Sequence, residues 1–217
     1  YKQWDLVAGG GKEGRVFLLD AKSLGGADHQ TPLFRSPIYS NDDLYSAGRG
    51  FWGSLASWED GQGKRWVYFP AWGQVNSKAP AFPVVNGAVA DGAILAFEVQ
   101  EKDGKQVASP AWRSANIKLP ESPIIANGVL YVVESGIDEL QADEEGHLMT
   151  SAERIKRAKG HAVLMALDAE TGKPLYNSGD AMPGLSHFGG IAISNGRVFV
   201  TTLDSYLYSF GLPDENR

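Results

Sequence analysis

The residues able to do chemistry in this 217-residue chain are few and scattered. Three carboxylates, Asp20, Glu98 and Asp168, each close a run of apolar residues, where an acid or base could stand at a strand end. Four histidines, His29, His147, His161 and His187, could ligate a metal. They lie far apart, without the short spacings of a zinc site, so no metal site is expected. The chain has no cysteine, which excludes disulfides and thiolate nucleophiles. GGGKEG (residues 9–14) has the look of a phosphate loop but lacks the GxxxxGK[ST] spacing. It also runs into an apolar strand instead of a helix, so it reads as a hairpin turn. GFWGSLAS (50–57) is not the GxSxG of a serine-nucleophile elbow.

The three carboxylates recur at one place in a repeated phrase: GRVFLLDA (14–21), GAILAFEV (92–99), HAVLMALDA (161–169) and SYLYSFGL (205–212). A residue that backbone geometry requires recurs in this way, whereas a catalytic residue does not. They are read as acceptors for turn amides after the core strand. Leu19, Phe97, Leu167 and Phe210 align at steps of 78, 70 and 43 residues. The last step matches the roughly 40–50 residues of a four-stranded propeller blade, and the longer steps hold insertions. Upstream of the third and fourth copies stand SPIIANGVLYVVES (122–135) and GIAISNGRVFVTT (190–202), each broken by an Asn-Gly hairpin signal. The second copy has GSLASWEDGQGKRWVYFP (53–70) in that place. Downstream come PLFRS (32–36), PAWRS (110–114) and PLYNS (174–178), whose aromatics Phe34, Trp112 and Tyr176 close each unit. The unit is a four-stranded antiparallel meander.

With SPIIANGVLYVVES before it, ALDAETGKPLY (166–176) resembles the repeat of the PQQ-type, or quinoprotein-like, β-propellers. The likeness is close in the third unit, good in the fourth and degenerate in the first two, where FEVQEKDGKQV (97–107) replaces the usual turn. It implies an all-β propeller of four-stranded blades with about three and a half blades in this chain. The expected division is a partial blade at 1–48, a blade at 49–118 with an insertion at 71–91, a blade at 119–184 with an insertion at 136–160, and a partial blade at 185–217. One strand is lacking at each end of that count, so the chain reads as the C-terminal part of a seven- or eight-bladed ring.

Aligning the innermost strands on Gly53, Ser122 and Gly190 puts Trp52, Glu121 and Gly189 in equivalent places, with Arg49 and His187 just before two of them. In a propeller this strand start lines one mouth of the central channel. Trp52, Glu121, His187 and Arg49 are therefore the candidate ligand-binding residues, in an aromatic-lined polar pocket or a plain wet mouth. In the second insertion, Thr150 and Glu153 form a capping box ahead of a short basic helix. Net charge is −6, which disfavours nucleic acid, and no apolar run is long enough to span a membrane.

The resemblance covers quinone-dependent dehydrogenases, an outer-membrane assembly lipoprotein and proteins without an assigned role, and it implies the periplasm or the cell exterior. A non-catalytic scaffold binding other protein subunits, or the rest of its own ring, is the favoured reading, with no cofactor. The alternatives are a dehydrogenase using PQQ with calcium, its catalytic residues partly upstream, and a binder of small molecules or glycans at the channel mouth.

Overall fold

A computed structural model describes residues 1–40, 49–137 and 142–212. Within these residues the strands form four sheets, each drawn from one continuous stretch of chain. The first holds β1 (Leu6–Gly10), β2 (Val16–Asp20) and β3 (Phe34–Arg35). The second holds β4 (Gly50–Phe51), β5 (Ala56–Glu59), β6 (Arg65–Trp72), β7 (Val84–Val85), β8 (Gly92–Lys102) and β9 (Lys105–Arg113). The third is the plain meander β10 (Ile124–Ala126), β11 (Val129–Glu134), β12 (Val163–Asp168) and β13 (Pro174–Asn177). The fourth holds β14 (Ile191–Ser194), β15 (Arg197–Thr201) and β16 (Leu207–Gly211). Every pairing is antiparallel except that of β7, which the insertion at 71–91 lays parallel to β9. The chain is all-β, as its repeats imply.

Local chemistry explains the meanders. Asn127–Gly128 and Asn195–Gly196 take positive φ at both positions (51° and 74°; 49° and 71°), the turn that matches strand twist. They close the β10–β11 and β14–β15 hairpins. Asp168 accepts the amides of Glu170 and Thr171 and the Thr171 hydroxyl, and Asp20 accepts the Lys22 amide. Glu98 departs from the expectation. It lies inside β8, which runs on to Lys102 and turns at Asp103–Gly104, so no turn amide stands beside it. In the second sheet Asp60 does this work, taking the amides of Gln62 and Lys64 and the indole N–H of Trp66. Burial alone would raise the Asp60 pKa. The bonds from Trp66, Lys64 and Gln62 outweigh it and hold the carboxyl below its ordinary value.

Core strands pack in chain order, sheet against sheet. Val67, Phe69, Leu95 and Phe97 face Val16 and Leu18 of the first sheet. From the opposite face of the same strands, Tyr68, Ile94 and Ala96, joined by Trp112 of β9, meet Leu130, Val132 and Leu167 of the third. Leu164 and Val133 then meet Val198 and Val200 of the fourth. A strand buried on both faces needs a continuous apolar run, which is why β6 and β8 read without polar alternation. Between the second and third sheets the Ala169 carbonyl accepts both Trp112 Nε1 (2.9 Å) and the Tyr68 hydroxyl (3.0 Å). Gly172 lies under the Trp112 ring so closely that a Cβ there would come within 2.4 Å of it. The helix α1 (Ser151–Arg157) starts on the expected capping box: the Glu153 amide donates to Thr150 Oγ1, and the Thr150 amide donates to Glu153 Oε2.

Candidate functional site

The four candidate residues come from segments that precede or interrupt the innermost strands. Arg49 leads into β4, Trp52 follows it, Glu121 stands before β10, and His187 before β14. Because the sheets stack in chain order, these strand starts meet at one end of the stack. Glu121 is the hub, with its side chain only 6% exposed. Its Oε1 lies 2.8 Å from His187 Nδ1, and its Oε2 accepts the Phe188 amide at 3.1 Å. One carboxylate of the third sheet thus holds the segment entering the fourth. Phe188 sits at φ +56°, a region costly for a bulky residue, and the bond to Glu121 helps keep it there.

The aromatic side of the cluster belongs to the second sheet. Trp52 stacks on Trp72 with ring centroids 4.5 Å apart and planes at 14°. Trp72 in turn lies 5.8 Å from the His187 ring and donates its indole N–H to the Pro120 carbonyl. Trp72 is fully buried with Leu119 and Ile137. The other neighbour of Trp52 is the Lys12 ammonium, 4.2 Å from the ring centroid. Arg49 enters through its backbone, its carbonyl accepting Trp52 Nε1 at 2.9 Å. Lys12, Trp52, Trp72, His187 and Glu121 form one connected series across all four sheets.

Trp72 and Lys12 were not singled out by sequence reasoning. By sequence Trp72 falls within the insertion at 71–91, yet β6 runs through it and pairs it with Gly50. Lys12 sits in the glycine-rich hairpin turn. That turn packs on the second sheet, with the Phe51 amide donating to the Gly11 carbonyl.

This geometry suits a quinone–calcium centre poorly. Trp52 carries Trp72 and the Lys12 ammonium against its ring, which leaves it a poor platform for a stacked cofactor. Both oxygens of Glu121 are engaged, so it makes a poor calcium ligand or base. Metal-type ligands do gather elsewhere: Asp143, Glu145 and His147 on the second insertion bring their donor atoms within 4.8 Å of one another. The Asp143 carboxylate is occupied by the amides of Glu145 and His147, in an exposed turn. Histidine spacing alone could not reveal this group, since two of its members are acids.

No helix among the described residues is long and apolar enough to cross a membrane. No protein-family model matches the chain, and no curated protein matches it. Among solved structures the chain is similar to BamB from Moraxella catarrhalis, at 14% identity over 95% of this chain and 67% of that one, with a TM-score of 0.23.

Proposed function

We propose that this chain is part of a β-propeller and serves as a non-catalytic scaffold for other proteins, in the periplasm or outside the cell. The observation that carries this reading is the distribution of exposed apolar side chains. Seven of the thirteen large hydrophobics exposed among the described residues fall between Leu175 and Leu212, and three of them, Leu175, Tyr176 and Leu212, line one groove beside the third and fourth sheets. Exposed apolar groups that share a groove fit a surface that another protein covers. The polar cluster at the strand starts fits the same reading. Its carboxylate, imidazole and indoles bond to one another and to backbone, and so act as a latch between sheets.

The test sets the scaffold against its enzymatic rival. The protein is mixed with PQQ and calcium, then assayed for cofactor absorbance, thermal stabilisation and dye-linked alcohol oxidation. The expected result is no bound quinone and no turnover. Stoichiometric quinone binding with oxidation of an alcohol would overturn the reading.

A further inference from the structure

The chain holds three Asn–Gly pairs, at 86–87, 127–128 and 195–196. In this dipeptide the asparagine can modify itself. Glycine has no side chain to keep its nitrogen away from the asparagine carboxamide, and asparagine is a thermolabile residue. The glycine nitrogen gives its proton to solvent and bonds to the side-chain carbonyl carbon. The bond from that carbon to the amide nitrogen breaks, and ammonia leaves. Water then opens the cyclic imide at either carbonyl. The product is aspartate or, with the backbone rerouted through the side chain, isoaspartate. All three pairs share this chemistry, so the fold decides which one reacts.

The structure ties down two of them. Asn86 Nδ2 donates to the carbonyls of Arg113 (3.1 Å) and Thr171 (2.9 Å), and the Gly87 carbonyl accepts Arg113 Nη1. That carboxamide is not free to swing onto Gly87. The Gly128 carbonyl accepts the Ala169 amide (3.0 Å), and a Cβ on Gly128 would meet the Trp58 ring at 3.7 Å. Its turn is thus held by its own sheet and by the sheet before it. Asn195 and Gly196 are both exposed, and a Cβ on Gly196 would meet nothing within 4 Å. Among the described residues no hydrogen bond holds the Asn195 carboxamide. The sheet before this turn is the third, whose four strands are all described, and it leaves the turn open. β14 alternates between half-buried and exposed residues, so opening this hairpin costs little.

We infer that Asn195 is a self-modification site, deamidating ahead of Asn86 and Asn127, and that its isoaspartate form unlocks the fourth sheet. Isoaspartate adds a methylene to the backbone. The two-residue turn, with φ of 49° and 71°, sets the Ser194–Arg197 register and cannot hold it with a longer chain. A new carboxylate also appears near Arg197, whose side chain bonds to Ser209 of β16. The inference does not depend on the scaffold reading.

Ageing the full chain in mildly alkaline buffer and mapping its peptides by mass spectrometry tests the site. Deamidation is read at each pair from the replacement of NH by O, and isoaspartate from labelling by a protein-isoaspartate methyltransferase. Asn195 is expected to convert about tenfold faster or more than either other pair, since the free energy of local opening enters the rate exponentially. In denaturant the three rates should converge, because each asparagine then faces the same glycine. Hydrogen exchange on the aged protein should show faster exchange of the β15 amides, with those of β11 unchanged. Asn195→Gln, which keeps an amide there but cyclises far more slowly, should show no such change on the same ageing. Equal rates in the folded chain, Asn86 or Asn127 in the lead, or rates that stay apart in denaturant would overturn the site. Conversion at Asn195 with β15 protection unchanged would overturn its effect on the sheet.

Discussion

Trp112 and Glu121 represent two ways in which one side chain ties neighbouring sheets together. Trp112 is fully buried and bonds to the Ala169 carbonyl of the next sheet. Trp112→Ala should cost about 3–5 kcal/mol, from lost burial and the cavity left behind. Trp112→Phe, which loses only the bond and part of the ring, should cost far less. Denaturant midpoints compare them, and a loss below about 1 kcal/mol for the alanine variant would mean the ring is not a keystone. Glu121→Ala should leave two donors, His187 Nδ1 and the Phe188 amide, without their acceptor, at a cost of about 1–3 kcal/mol. An unchanged melting temperature together with loss of a bound ligand would instead favour a working pocket at the channel mouth. Tyrosines give the chain an alkaline limit. Burial pushes the Tyr39 hydroxyl up to about 12, and raises Tyr68 as well, with help from the carboxylates of Asp60, Glu170 and Asp168. A raised folded-state value favours the neutral phenol. Its stabilisation is whole below the unfolded value of about 10 and is lost as pH climbs from there. Chemical-denaturation midpoints should therefore fall from pH 10 upward, less steeply in Tyr39→Phe; a flat profile to about pH 12 would contradict the burial of these rings.

At the scale of elements, the insertion at 136–160 is a loop added to a sheet that does not need it. Its two ends meet: a Cβ on Gly136 would fall 2.5 Å from the carbonyl carbon of His161. Glu134 and Val163, just outside the insertion, are already paired across β11 and β12. Replacing 138–159 by a short turn, which keeps Ile137 in its buried place beside Trp72 and Leu119, should therefore leave the third sheet folded, with the far-ultraviolet spectrum and cooperative melting retained. Loss of cooperative melting would show that the insertion helps to hold the sheet together. The insertion at 71–91 differs in kind, because β7 pairs with β9 and Asn86 bonds to the carbonyls of Arg113 and Thr171. Its removal should be felt in the packing of the second sheet on the third.

Across the whole molecule, burial is uneven. The first six residues of β8 are buried in succession, whereas β14 and β16 alternate between half-buried and exposed. Fewer buried contacts mean that local opening costs less free energy. Native-state hydrogen exchange should accordingly rank the fourth sheet as the first to open and β8 among the last. Equal protection in all four sheets would contradict this order. The ranking also bears on function, since the least-buried sheet carries the apolar surface assigned to a partner.

Much of the architecture was legible in the residues. Four repeats of an apolar phrase, Asn-Gly turns and outer aromatics specify antiparallel meanders, because side-chain alternation and positive-φ turns are local properties of the backbone. The turn roles of Asp20 and Asp168 and the capping box at Thr150 were legible for the same reason: donor and acceptor lie within four residues. Glu98 misled, because how far β8 extends is decided by its pairing with β9 along its whole length. Sequence alignment could select Trp52, Glu121, Arg49 and His187 as neighbours in kind. It could not foresee that Glu121 would spend both oxygens on the His187 segment, or that Trp72 and Lys12 would close on Trp52. Those contacts join residues 20 to 67 positions apart across different strands and sheets, so they exist only once the sheets have stacked.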